Sequence, residues 1–150
     1  MWNSMKSVQL SLICTKIVIA FIVVCAVALP FMLERYLAIM VIPMNLTDLH
    51  PFMVILYLCC VPAMTALICL HMLLGNIKKE EIFIPKNVNL LRLISWCCFL
   101  AALIMMFAFR FYIVFGFVAV AIGFIGLILR VVKNVIEEAM IIKNENDFTI

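Results

Sequence analysis

Charged residues are scarce in this 150-residue sequence, and several long stretches contain none. Asp, Glu, Lys and Arg make up 13% of the chain, whereas 69% is hydrophobic and the mean hydropathy is +1.30. A water-soluble globular domain has an apolar share nearer one half and about a quarter of charged residues. The composition therefore excludes a soluble globule and predicts one all-α domain that crosses the membrane several times.

The apolar stretches also lack the groups that catalysis, ion coupling and metal binding require. None contains Asp or Glu, and the chain has no CxxC spacing, no glycine-rich phosphate loop and no nucleic-acid-binding motif. The adjacent pairs Cys59-Cys60 and Cys97-Cys98 would point about 100° apart on a helix, so they do not form a four-thiolate cage. We therefore expect no metal, no cofactor and no direct contact with nucleic acid. The seven cysteines are interpreted as small packing residues.

Four stretches have the length and the hydropathy of membrane-spanning helices. They are predicted at residues 8–33, 51–74, 91–109 and 112–130. Lys16 lies inside the first span, where its long side chain can reach the headgroups; a functional intramembrane lysine is the alternative. The triplet Ala26-Val27-Ala28 resembles a signal-peptide cleavage site, although Lys16 and Pro30 argue against cleavage.

The segments between the spans differ in character. Residues 36–50 are apolar but too few to span, so this outer loop lies in the interface or folds over the mouth of the bundle. A tight outer hairpin is predicted around Arg110 and Tyr112, and residues 76–89 form a polar inner break. Pro62 is expected to kink the second span, because it removes one backbone hydrogen bond.

Lysine and arginine are distributed unequally between the two sides, which predicts the orientation. Only Arg35 and Arg110 fall on the side of the outer loop and hairpin. The other side holds nine basic residues: Lys6, Lys16, Lys78, Lys79, Lys86, Arg92, Arg130, Lys133 and Lys143. By the positive-inside rule, both termini are predicted to be cytoplasmic.

Small residues recur along one face of the fourth span. They are Gly116, Ala119, Gly123 and Gly126, at spacings of three, four and three. Such a seam lets another helix approach closely. It could pack within the four-helix bundle or against a second copy of the chain, and internal packing is the default interpretation.

The last stretch, residues 130–150, has no Gly or Pro and alternates polar with apolar residues at helical spacing. Lys133 and Glu137 lie one turn apart on its polar face, and Val131, Val135 and Ile142 form an apolar stripe. The fourth helix is therefore predicted to continue into the cytoplasm as an amphipathic helix. This tail either binds a partner, folds back on residues 78–92, or lies at the interface.

Two stretches resemble a known family. Residues 134–139 and 142–150 are similar to the closing signature of a family of small four-span bacterial membrane proteins, domain of unknown function 2975. The run Pro85-Lys86-Asn87-Val88-Asn89-Leu90-Leu91-Arg92 resembles the family's inner loop. Phe148 stands where the family would have Leu, and the outer hairpin is short. The resemblance implies a multi-pass protein of the bacterial cytoplasmic membrane without established catalytic activity, commonly encoded beside a small helix-turn-helix regulator.

Three functions are weighed on this basis. The first is a non-enzymatic sensor or anti-regulator that binds the regulator through the inner loop and the tail. The residues proposed for partner binding are Lys86, Asn87, Arg92, Arg130, Lys133, Asn134, Glu137, Glu138, Asp147, Phe148 and Ile150. The second is an immunity or export protein against a membrane-active peptide or antibiotic. The third, an enzyme that uses Asp48 and His50, has no third functional group nearby in sequence.

Overall fold

The computed structural model describes residues 4–39 and 46–147, and these residues form four long α-helices and no strand. The helices are α1 (Ser4–Ile39), α2 (Leu46–Lys78), α3 (Pro85–Ala108) and α4 (Val114–Asp147). Each contains a segment long and apolar enough to cross a membrane. The prediction of an all-α chain with four such helices is confirmed, and the protein is a multi-pass helical membrane protein.

Each helix packs against its neighbours in sequence, so α3 lies between α2 and α4. One apolar cluster joins Cys69 and Leu73 of α2 to Leu90, Leu91 and Ile94 of α3. Leu129 and Ile136 of α4 pack against the same cluster. Helices α2, α3 and α4 therefore share one core, in which α3 is the central element.

Helix α1 is peripheral. Among its described side chains only Thr15 is buried, and its hydroxyl donates to the carbonyl oxygen of Ser11 in the preceding turn, at 2.8 Å. Helix α1 packs against α2, where the hydroxyl of Tyr57 donates to the carbonyl oxygen of Ala26 at 3.0 Å. Most of the α1 surface is apolar and exposed, as a lipid-facing helix requires.

The predicted outer hairpin is short and aromatic. Helix α3 ends at Ala108 and α4 begins at Val114, which leaves five connecting residues, 109–113. The buried ring of Phe52 in α2 lies 5.4–5.8 Å from the rings of Phe111, Tyr112 and Phe115. These contacts hold the hairpin against the first turns of α2.

One local feature, the expected outer loop, differs in extent from the sequence expectation. The apolar stretch expected as an outer loop, 36–50, is helical at both ends, because α1 reaches Ile39 and α2 begins at Leu46; residues 40–45 lie outside the described part. Helix satisfies the backbone hydrogen bonds of an apolar segment that has little contact with water. Pro62, where a kink is predicted, lies inside helix α2, and the kink itself stays a prediction. Nearby, the hydroxyl of Thr65 donates to the carbonyl oxygen of Val61 at 2.9 Å.

Candidate functional site

Charged and polar side chains converge where the α2–α3 connection, the start of α3 and the last part of α4 meet. We call this region, residues 76–92 with residues 130–147, the charged end. Helix α4 has 34 residues and is therefore about 51 Å long, whereas the hydrocarbon core of a bilayer is about 30 Å thick. All the charged residues of α4 lie at or after Arg130, so the part of α4 that exceeds the thickness of the core is its C-terminal part.

A buried asparagine organises the α2–α3 connection. Asn87 is 1% exposed, and its amide nitrogen donates to the carbonyl oxygens of Glu81 and Ile82 at 2.7 and 2.9 Å. Its side-chain oxygen accepts a hydrogen bond from the amide of Asn76 at 2.7 Å. Glu80 in this turn has a φ of 65°, the left-handed conformation that closes the connection. The Asn87 side chain thus fixes the shape of the loop, and its polar atoms are already hydrogen-bonded within the protein.

The last part of α4 is attached to α3 and to the connection before it. A guanidinium nitrogen of Arg92 lies 3.6 Å from one carboxylate oxygen of Glu137, and Lys133 pairs with the other oxygen. The ammonium of Lys143 lies 5.9 Å from the centre of the Phe83 ring. Together with the apolar contact of Ile136, these interactions align residues 130–147 along the connection and α3.

A polar cavity lies between α3 and α4 at the charged end. It has a volume of about 150 Å³ and is lined by Arg92, Ser95, Arg130, Lys133 and Asn134. Ser95 is 1% exposed, and its hydroxyl has no hydrogen-bond partner among the described residues. The lining therefore combines three cations with neutral hydrogen-bonding groups.

An aromatic ring stands beside the cavity. The guanidinium carbon of Arg130 lies 5.2 Å from the centre of the exposed Trp96 ring, a cation–π contact that limits where this arginine can point.

The opposite face of the same α4 segment is apolar and uncovered. Val131, Val135 and Ile142 are 62%, 62% and 58% exposed. They continue the exposed face that α4 carries through its membrane-spanning part, where Phe124 and Ile128 are also exposed. The segment is therefore amphipathic, with its polar side toward α3 and its apolar stripe outward.

The residues predicted to bind a partner fall into different environments. Four of them, Arg92, Arg130, Lys133 and Asn134, line the cavity. Glu137 forms the ion pairs, and Lys86 and Glu138 are exposed. Asn87 is buried and can affect a partner only through the loop that it holds. Asp147 ends α4, and its side chain, with Phe148 and Ile150, lies outside the described residues.

The small-residue seam lies at the contact between α4 and α3. Ala119 is 2% exposed, and a Cβ built on Gly126 would lie 3.1 Å from the Cβ of Cys98 and 3.4 Å from the carbonyl oxygen of Ser95. At Gly123 the nearest atom would be the Cβ of Ala102, at 3.8 Å. Gly116 faces the ring of Phe109 in the hairpin. Close approach of the two backbones at Gly126 brings Ser95 next to the basic residues of α4.

Asp48 and His50, the residues proposed for an enzyme, lie at the start of α2, whereas the charged end begins near the last residues of α2. His50 is exposed in the first turns of α2, and the side chain of Asp48 lies outside the described part. Within the described residues, no group of three or more His, Cys, Asp or Glu side chains could hold a metal ion.

Sequence reasoning did not single out Asn76, Ser95 or Trp96. Arg92 and Ser95 are three residues apart on α3, and Arg130 and Lys133 are three apart on α4, so each pair shares a helix face. The sequence signal for the cavity was these two polar helix faces, one on α3 and one on α4. Nothing in the sequence showed that they face each other.

Most of the chain, including the charged end, matches a known protein family. A family model described as "Protein of unknown function (DUF2975)" matches residues 40–150, which include α2, α3, α4 and the charged end. No curated protein and no solved structure matches the chain. The chain belongs to the DUF2975 family of proteins of unknown function.

Proposed function

We propose that the protein is a non-enzymatic membrane anchor and sensor, which binds a small helix-turn-helix transcription regulator at the charged end and holds it away from DNA. The observation that carries this proposal is the exposed stripe of Val131, Val135 and Ile142, on a helix segment that extends past the membrane-spanning part. A soluble amphipathic helix would normally bury such a stripe.

The segment that bears the stripe is already ordered. Its polar side is attached through Arg92 and Glu137, through Lys143 and Phe83, and through Ile136. A partner would therefore meet a preformed helix and would not have to order it. Preorganisation of this kind favours affinity, since less conformational entropy is lost on binding.

The proposed occupant follows from the chemistry of the surface and from the family resemblance. Apolar residues at positions i, i+4 and i+11 of an exposed helix fit the hydrophobic groove of a small helical domain. Lys86 and Glu138 are exposed at the same end and would supply polar contacts around that stripe. Helix-turn-helix regulators are small helical domains, and the family resemblance implies that one is commonly encoded beside members of this family.

The orientation belongs to the same proposal. With the charged end in the cytoplasm, nine of the eleven Lys and Arg residues are on the inner side. The aromatic hairpin around Phe52 then faces outward, in the bacterial cytoplasmic membrane. A signal at that side, such as a membrane-active peptide, would act on α2, α3 and α4 together, because they share one core.

The test is co-purification of the tagged full chain with the regulator encoded beside it, in mild detergent. The triple replacement of Val131, Val135 and Ile142 with Ser should lower recovery of the regulator at least tenfold. Each side chain is more than half exposed, so the fold should tolerate the change. The matched control is Ile141→Ser, an exposed apolar residue on a different face of the same helix, which should retain recovery within twofold.

Unchanged recovery from the triple variant, or equal loss from the control, would contradict the proposal. A variant that lacks residues 143–150 separates the main alternative. Under the anchor function it holds the regulator less tightly, because it loses the contact of Lys143 with Phe83 and the proposed partner residues Asp147, Phe148 and Ile150. An immunity or export protein would still protect cells from a membrane-active peptide.

A further inference from the structure

The cavity between α3 and α4 has an excess of positive charge. Arg92, Arg130 and Lys133 line it with three cations, and Glu137 is the carboxylate that pairs with Arg92 and Lys133. Three positive charges against one negative leave the cavity electropositive. Arginine side chains in addition present paired N–H groups whose spacing matches the oxygens of a phosphate group.

Ser95 lines the same cavity and carries a buried hydroxyl group. Ser95 is 1% exposed and its hydroxyl has no partner among the described residues, although buried polar groups are nearly always hydrogen-bonded. The hydroxyl can donate to an anion in the cavity. Asn134, also in the lining, adds an amide donor. The hydroxyl of Ser95 without a partner is therefore a second indication of a ligand, separate from the positive charge of the basic residues.

The size of the cavity suits a compact anion. Its volume is about 150 Å³, and a phosphate group has five heavy atoms. The cavity therefore has room for the phosphate group of a lipid headgroup.

We propose that this cavity binds the phosphate group of an anionic phospholipid headgroup. The lipid source is favoured by the surface next to the cavity, where Trp96, Leu93 and Leu100 are exposed along α3. Tryptophan is enriched at the level of the headgroups. An acyl chain can follow this apolar face toward the bilayer while its phosphate contacts Arg130. Basic cavities between membrane helices are suited to anionic lipid headgroups.

This proposal does not depend on the proposed function. The lipid site faces the contact between α3 and α4, whereas the regulator would bind the stripe of Val131, Val135 and Ile142 on the outer face of α4. The lipid experiment contains no regulator, so each proposal is tested separately and either can fail without affecting the other.

The experiment uses the purified full chain in detergent, titrated with dioleoylphosphatidylglycerol or with dioleoylphosphatidylcholine and measured by native mass spectrometry. The anionic lipid should bind about tenfold more tightly, because the choline ammonium group of the other lipid is repelled by the three cations. Inorganic phosphate is titrated separately and as a competitor. It should bind much more weakly than the anionic lipid, since it lacks the acyl chains.

Variants locate the binding in the cavity. Arg130→Gln should weaken binding of the anionic lipid about tenfold, and Ser95→Ala about fivefold. Arg130→Lys keeps the charge and should stay within threefold of the original chain. The matched control is Lys86→Gln, which removes an exposed cation at the same end but outside the cavity, and which should change binding less than twofold.

Equal affinity for the two lipids, or equal weakening by Lys86→Gln and Arg130→Gln, would overturn the proposal. Inorganic phosphate that binds as tightly as the lipid would show a site for the free anion and would refute the lipid assignment. Thermal melting of each variant distinguishes lost binding from lost folding. If Arg130→Gln unfolds, the comparison of Ser95→Ala with Lys86→Gln decides.

Discussion

Replacing Asn87 with Ala should loosen the connection between α2 and α3 and destabilise the charged end. The side chain is 1% exposed and makes three hydrogen bonds, to Asn76 and to the backbone of Glu81 and Ile82, at 2.7–2.9 Å. All three are lost together in the variant. The effect should appear both as lower stability and as a more mobile loop.

The magnitude follows from these contacts. A neutral hydrogen bond contributes about 1 kcal/mol net, which gives about 3 kcal/mol for the three. Glu81 and Ile82 are exposed, so water can replace part of what their carbonyl groups lose. We therefore expect a loss of roughly 2–3 kcal/mol. On the scale of soluble domains of this size, the melting temperature should fall by about 4–12 °C.

Thermal unfolding of the detergent-purified chain, followed by circular dichroism, measures the first effect. Limited trypsin digestion at Lys78 and Lys79 measures the second, since the turn that follows is held by Asn87. Asn89→Ala is the matched control, because Asn89 lies two residues later on the same helix and is exposed. Asn87→Asp should be at least as harmful as Asn87→Ala, since it aims a carboxylate at two carbonyl oxygens.

Equal melting temperatures for Asn87→Ala and Asn89→Ala would refute the reasoning. Unchanged trypsin cleavage together with a lower melting temperature would show that Asn87 stabilises the helices without fixing the loop. In that case the shape of the loop would have another cause.

Three further predictions concern packing, charge and orientation. Gly126→Leu should cost about 1–3 kcal/mol, because a side chain there meets Cys98 and the Ser95 backbone; Gly75→Ala, with open space around it, should not destabilise. Both are compared by thermal melting. Glu137→Gln should raise the affinity of the cavity for phosphatidylglycerol about threefold, because it removes the carboxylate that pairs with two of the cations; Glu138→Gln is the control, measured by native mass spectrometry. A fluorescent protein fused after Ile150 should fluoresce, and alkaline phosphatase fused at the same place should be inactive. Both results are expected when the C-terminus is cytoplasmic.

Each of these has a result that contradicts it. Equal tolerance of the two glycine variants would mean that α3 and α4 are not closely packed at Gly126. A weaker lipid affinity in Glu137→Gln would show that the ion pairs shape the cavity more than they neutralise it. Active alkaline phosphatase would reverse the proposed orientation and remove the regulator from reach of the charged end.

The fold class and the approximate positions of the turns follow from the pattern of apolar and polar residues alone. Uninterrupted apolar stretches leave a chain no way to satisfy its backbone in lipid except by forming helices, and this reasoning predicted all four. The position of Arg110 predicted the hairpin, because it interrupts two apolar runs that together are too long for one crossing. The spacing of Gly116, Ala119, Gly123 and Gly126 also indicated a packing face, because small residues along one side of a helix let a neighbouring helix approach closely.

Which polar residues act together depends on how the helices pack. Asn87 looked like a surface residue of a polar loop, and the structure buries it in a network with Asn76. Arg92 and Ser95 meet Arg130 and Lys133 because Gly126 lets α4 approach α3 at that level, a match of register that neither helix specifies alone. Helical periodicity assigns residues to a face, whereas the facing partner depends on contacts between residues far apart in sequence.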